Sequence, residues 1–298
     1  MKQSMRKVIL FCIGFCVLFV FICLPFYFVR QKGYQYIDVQ HKVEQLEELP
    51  NHTIDVLFLG DSQVWASLSP RYLYKEFGIV SYNGGTPGQW TYDGKVILDE
   101  TLKKQNLKAV VLEASEIFSY PNKYKFLLSQ IMPIFHYHGI GRRSDMATGD
   151  EHSLGANLSD VVAPYAGGTS YMDIDYPAKE IASHSLKYLN EIVTFCKEKN
   201  IKVLFMASPS PLTWNRGKQK AVNTYSKEKN IPFIDYNEPS KQKELGIDFM
   251  CDTRDGGDHL NNSGARKVTN SVGQWLKENV KLKDYRGDAR YHRWKGSN

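Results

Sequence analysis

The chain has 298 residues, 42% apolar and 23% charged, with 38 Lys and Arg against 32 Asp and Glu for a formal charge of +6. This composition excludes a disordered, collagen-like or disulfide-scaffold protein and suits one large α/β domain with an ordinary core. Lys2, Arg6 and Lys7 stand with no acid before residue 30, so half of the excess charge lies at the front and the rest of the chain is nearly balanced.

That basic front precedes Val8 to Val29, 22 residues without a charge. An uncharged run of this length predicts a transmembrane helix. A signal peptide would have a shorter apolar region and a small-residue cleavage site. Leu24-Pro25-Phe26-Tyr27-Phe28-Val29-Arg30 contains none, which favours an uncleaved anchor. The charge bias predicts an inside N-terminus and places the C-terminal domain on the extracytoplasmic side of the cell membrane, as a single-pass protein. The expected organisation is a cytoplasmic N-terminus (1–7), an anchor (8–29), a polar, short helical stalk (30–51), a folded domain (52–282) and a basic, mobile tail (283–298). Cys12, Cys16 and Cys23 fall in the span, leaving Cys196 and Cys251 outside it. No CxxC or Cys/His spacing suggests a metal, Cys196 reads as a buried helical residue, and nothing further supports a Cys196–Cys251 disulfide.

After the stalk, Ile54-Asp55-Val56-Leu57-Phe58-Leu59 reads as a buried parallel strand running into the turn Gly60-Asp61-Ser62. Ser69-Pro70 predicts a helix start, with the serine as cap and the proline in the first turn. The alternation continues with a strand at 79–82, a helix at 91–105 and a strand at 109–112. A helix at about 178–200, a strand at 201–206, a helix at about 218–230 and a strand at 232–234 follow, and a last helix begins near Ser263. Between Tyr120 and Tyr176 the periodicity fades, and 139–168 is rich in Gly, Ser, Asp and Asn, as in a lid or binding loop. His136 and His138 read as features of that loop rather than as metal ligands. Strands alternating with helices predict a three-layer α/β/α, flavodoxin-like parallel sheet, with ligands at the carboxyl ends of the strands.

Two segments at such ends carry chemistry. Ser62 directly follows the first strand, and a serine hydroxyl becomes a nucleophile only when a neighbouring base takes its proton. His259 can be that base. It lies in Asp255-Gly256-Gly257-Asp258-His259-Leu260-Asn261, where either Asp255 or Asp258 could orient the imidazole. A calcium-loop ligand pattern is missing from this segment, and no other metal or cofactor motif is present.

Gly60-Asp61-Ser62, then Asn83-Gly84-Gly85, then the Asp/His loop before the last helix together resemble the SGNH hydrolase superfamily, also called GDSL esterases. The resemblance is strongest to its membrane-anchored envelope branch, which includes teichoic-acid D-alanylation and alginate acetylation proteins. It implies Ser62 as nucleophile, His259 as base and the amides of Ser62 and Gly85 as part of an oxyanion hole, with Asn83 and Ser115 on the substrate side. Two positions depart from the family pattern. The acid commonly stands three residues before the histidine, where this chain has Gly256, so Asp255 is preferred and Asp258 kept. Leu112-Glu113-Ala114-Ser115-Glu116 replaces a block that normally supplies an oxyanion asparagine, so the hole is either incomplete or completed by Ser115 or another group, and Glu113 is either a structural carboxylate or a catalytic one. Trp214, after Ser208-Pro209-Ser210-Pro211, would shape the acceptor pocket. The activity implied is acyl-ester hydrolysis or O-acyl transfer on an envelope polysaccharide or teichoic acid, without a cofactor, beside a multispanning membrane acyltransferase. The alternatives are a D-alanyl thioester relay and an inactive binding module. No motif points to nucleic acid.

Overall fold

The computed structural model describes residues 2–29, 37–119 and 153–296. Helix α1 spans Lys2–Val29 and contains Met5–Leu24, whose mean hydropathy of 2.9 makes it long and apolar enough to cross a membrane as an anchor or as a signal sequence. Helix α2 follows at Ile37–Glu47.

Five parallel strands form one sheet: β1 (Val56–Leu59), β2 (Ser81–Asn83), β3 (Ala109–Glu113), β4 (Lys202–Ala207) and β5 (Phe233–Asp235), in the order β2-β1-β3-β4-β5. Every pairing is parallel, with Leu57 opposite Tyr82 and Val110, and Val111 opposite Leu204. Because side chains alternate across a strand, the two apolar sets of each strand feed two cores. Leu57, Leu59, Val110, Leu112 and Phe205 pack with α2, α5 (Thr91–Leu102), α6 (Ser183–Glu198) and α7 (Arg216–Lys229). Val56, Phe58, Val111, Leu204 and Met206 pack with α3 (Ser62–Ser67), α4 (Pro70–Phe77), α8 (Pro239–Leu245) and α9 (Asn262–Asn279). The result is the three-layer α/β/α arrangement with flavodoxin-like strand order, and its topological switch point lies between β1 and β3.

The element boundaries follow local chemistry. Ser69 caps α4 by accepting from the Tyr72 amide, Pro70 opens it, and Gly78 closes it in the left-handed region at φ 69°. Two short helices were not anticipated, α3 inside the Gly-Asp-Ser turn and α8 after β5.

Two parts expected to lie outside the folded domain pack into it, the first of them as the helix expected of the stalk. From Asp38 onward the stalk is a core helix, with Val39, Val43, Leu46 and Leu49 buried against α5. Lys42 lies on the same face, fully buried, and donates to the backbone carbonyls of Asn83 and Gly155. Burial pulls its ammonium down to about 7. The expected tail also folds back. Trp294, in α10 (His292–Lys295), is 1% exposed and donates to the Ser81 carbonyl at 2.8 Å, and Tyr291 is buried beside it. Its basic composition concealed two large aromatic anchors. Trp294→Ala is expected to destabilise the domain by about 3–5 kcal/mol, measurable by urea unfolding, whereas a solvated tail would give no change.

Candidate active site

Ser62 begins α3 immediately beyond β1, at the switch point. Gly60 makes this exit possible. Its φ is +154°, and a Cβ there would lie 2.4 Å from the Glu113 Cβ, so only glycine lets the chain leave β1 against β3. Asp61 then caps α3, accepting from the Gln63 amide at 3.0 Å and from the Ser115 hydroxyl at 3.0 Å.

The histidine loop arrives from the other end of the chain. Thr253 and Leu260 pair as an antiparallel bridge, and the Arg254 amide donates to the His259 carbonyl at 3.1 Å, closing residues 254–259 into a hairpin-like turn. Gly256 and Gly257 both adopt positive φ, 75° and 102°, and the turn they form folds Asp255 back beneath His259. This backbone conformation accounts for the unusual spacing of four residues. Asn261 caps α9 through the Gly264 amide and donates to the Cys251 carbonyl at 2.7 Å, seating the loop on the helix.

The two segments meet as a triad. His259 Nε2 is 2.8 Å from Ser62 Oγ, and His259 Nδ1 is 2.6 Å from Asp255 Oδ2. A carboxylate can only accept, so Nδ1 carries the proton and Nε2 is left to accept from the serine hydroxyl. Asp255 Oδ1 also accepts from the His259 amide at 2.7 Å, which fixes backbone and ring together. Asp258 Oδ2 stands 3.5 Å from Nδ1, while its Oδ1 accepts from the Gln63 carboxamide at 3.1 Å. Of the two acids, Asp255 is therefore the hydrogen-bonded one. Oxygen and nitrogen atoms of Asp255, Asp258 and His259 lie within 4.8 Å of one another, so these three are the residues that could gather around a cation. Both ring nitrogens of His259 thus have a side-chain partner.

The other expected site residues are placed differently. The Gly85 amide already donates to Asn83 Oδ1 at 2.9 Å. Asn83 is fully buried and donates to the Val64 and Leu68 carbonyls, so it ties α3 to β2 and does not line a substrate surface. Ser115 gives its hydroxyl to Asp61. Trp214 is 3% exposed and donates from Nε1 to Asp235 Oδ2 at 3.0 Å, which makes it a core residue rather than part of the rim. Glu113 is a buried structural carboxylate that holds the Ser208 amide and hydroxyl. The Ser62 amide has no hydrogen-bond partner among the described residues. His136 and His138 lie outside the described residues, as does much of the expected lid. Cys196 is a free buried thiol and Cys251 a free exposed one.

Sequence reasoning missed Gln63, which braces the histidine loop, and Lys42. Lys42 had a visible signal, since it interrupts the apolar face of Val39, Val43 and Leu46 at helical spacing.

Beneath the triad lies a set of buried carboxyl groups. Burial lifts Glu113 to about 8, helped by the charge of Asp61. Burial lifts Asp93 to about 7, opposed by the Trp90 amide, and raises Glu116 and Asp61 as well. Groups held above their unfolded values keep protons that the unfolded chain releases, so they stabilise the fold at low pH and lose that contribution as pH rises through the folded value. For Glu113 the window runs from 4.5 to about 8. Stability is expected to fall by roughly 3–5 kcal/mol between pH 5 and pH 8. Thermal melts across that range check this, and Glu113→Gln combined with Asp93→Asn should flatten the profile.

No family model and no curated protein sequence matches this chain. Solved structures do align with it at low identity. One is a GDSL-like lipase from Bacteroides thetaiotaomicron VPI-5482, at 13% identity over 80% of this chain and 97% of the other, with a TM-score of 0.43. Another is the lipase/acylhydrolase from Enterococcus faecalis, at 15% identity over 77% of this chain and 99% of the other, with a TM-score of 0.41. In this chain the Ser62–His259–Asp255 triad stands at the carboxyl edge of a parallel sheet ordered β2-β1-β3-β4-β5.

Proposed function

We propose that this protein is a membrane-anchored serine acyl-ester hydrolase or O-acyltransferase acting on a cell-envelope polysaccharide or teichoic acid. The observation that carries the acyl chemistry is the continuous relay from Asp255 through His259 to Ser62 Oγ, at 2.6 and 2.8 Å.

The reaction divides into two displacements. Ser62 Oγ attacks the acyl carbonyl carbon while His259 Nε2 takes the hydroxyl proton. The carbonyl oxygen gains the negative charge, and the open amide of Ser62 is the donor proposed to receive it. Each such donor contributes about 3 kcal/mol in acyl-transfer sites. As the intermediate collapses, the bond to the leaving group breaks and His259 protonates that group. In the second displacement a hydroxyl from water or from a sugar attacks the acyl-serine, gives its proton to His259, and releases Ser62 as the hydroxyl. Asp255 stays ionised throughout and stabilises the imidazolium formed in each half.

The apolar helix supports the anchored part of this reading, with the folded domain outside the cell membrane and a multispanning membrane acyltransferase as the acyl source. Incubating the full chain with a short-chain chromogenic ester, with and without an anionic envelope glycan, separates the outcomes. Acyl groups appearing on the glycan would establish transfer, and free acid alone would establish hydrolysis. Release of neither would exclude both and leave a non-catalytic binding module.

A further inference from the structure

We infer that the carboxyl edge of the sheet, with the triad on it, rests against the lipid surface in which the chain is anchored. This inference depends on the reading of 8–29 as a membrane anchor, and it adds the direction in which the site faces.

Two independent observations converge on that edge. The first is where the chain enters the domain. Lys42 reaches the carbonyl of Asn83, the last residue of β2, while Lys104, beyond the end of α5, donates to the Glu47 carbonyl. Helix α2 therefore runs from the carboxyl edge towards the amino edge, and its first turn stands at the edge that holds Ser62. From Val29 to Asp38 is nine residues, a reach of at most about 32 Å even fully extended. The opposite edge is farther from the span by the length of α2, about 16 Å.

The second observation is where the folded domain leaves large apolar side chains in water. Outside the apolar helix, the described residues with exposed large hydrophobic side chains are Val161, Val162, Ile174, Tyr176, Leu212 and Met250. All belong to loops at the carboxyl edge. The Leu212 amide donates to the Gly257 carbonyl within the triad loop, and the Gly256 amide donates to the carbonyl of Ala163, next to Val162. The Tyr165 amide donates to the Phe249 carbonyl beside Met250. Tyr176 lies against Gly217 at the start of α7. Single exposed hydrophobes are ordinary on protein surfaces, but their restriction to one rim marks an interaction surface. A bilayer fits this pattern because the anchor delivers the same rim to it, and an apolar tip inserted at the lipid boundary gains about 25 cal/mol for each Å² removed from water. The consequence is that acyl donors presented at the membrane surface reach Ser62 without crossing bulk water.

The test uses the full chain in phosphatidylcholine and phosphatidylglycerol nanodiscs containing a lipid that carries a quencher at headgroup depth. An environment-sensitive fluorescent amino acid is placed in separate preparations at Leu18 in the span, at Val162 or Leu212 on the rim, and at Glu198 on the opposite edge. Docking predicts strong quenching at Leu18, Val162 and Leu212, and at least severalfold weaker quenching at Glu198. Quenching at Leu18 with none at the rim, or with equal quenching at the rim and Glu198, overturns the docking while leaving the anchor intact. Absence of quenching at Leu18 overturns the anchor and the docking with it.

Discussion

Ser62→Ala is expected to lower acyl turnover by about 10⁶-fold, with little effect on folding, because removing one member of a cooperating triad costs nearly as much as removing all of it. The side chain is small and its hydroxyl partner is the His259 ring, so the substitution deletes the nucleophile and leaves the packing of α3 unchanged. His259→Ala should have a similar effect, and the double variant should be no worse than either single one. Steady-state hydrolysis of a chromogenic ester, corrected for the background rate, measures all three. Additive losses in the double variant would mean that the two residues do not act as a unit.

The second large effect separates the two acids. Asp255→Asn should reduce kcat by roughly 10⁴-fold, because an amide at this position no longer holds the proton on Nδ1 and cannot stabilise the imidazolium. Asp258→Asn should cost about tenfold or less. Its carboxylate is 3.5 Å from the ring nitrogen, and its main bond is to Gln63, which an asparagine oxygen can still accept. The readout is kcat on the same chromogenic ester for the two single variants. If Asp258→Asn has the larger effect, the roles are exchanged.

Most of the architecture was legible because it depends on patterns that sequence carries directly. A short continuous apolar strand running into Gly-Asp-Ser located Ser62, and alternation of strands with amphipathic helices gave the parallel sheet. Asp255 was legible too, once Gly256 and Gly257 are understood as the positive-φ pair that turns it back onto the ring. What sequence could not convey was the direction in which groups at the sheet edge turn. Asn83, Gly85, Ser115 and Trp214 all lie at the carboxyl ends of strands, as expected. Each nonetheless spends its hydrogen bond inward, on Val64 and Leu68, on Asn83, on Asp61 and on Asp235 respectively. Position along a strand follows from periodicity, whereas the choice between an inward and an outward hydrogen bond depends on partners distant in sequence. Composition misled in the same way at both ends of the domain. The polar 30–51 segment reads as a helical stalk outside the domain and the basic 283–298 segment as a mobile tail, yet Val39, Val43, Tyr291 and Trp294 are core residues.

The most direct test of the account is covalent. The full chain is treated with a serine-reactive fluorophosphonate, and the modified peptide is located by mass spectrometry. The account predicts one phosphonyl adduct on Ser62, absent in Ser62→Ala and slowed by orders of magnitude in His259→Ala. An adduct on another residue with Ser62 unmodified, or equal labelling of wild type and Ser62→Ala, would contradict it.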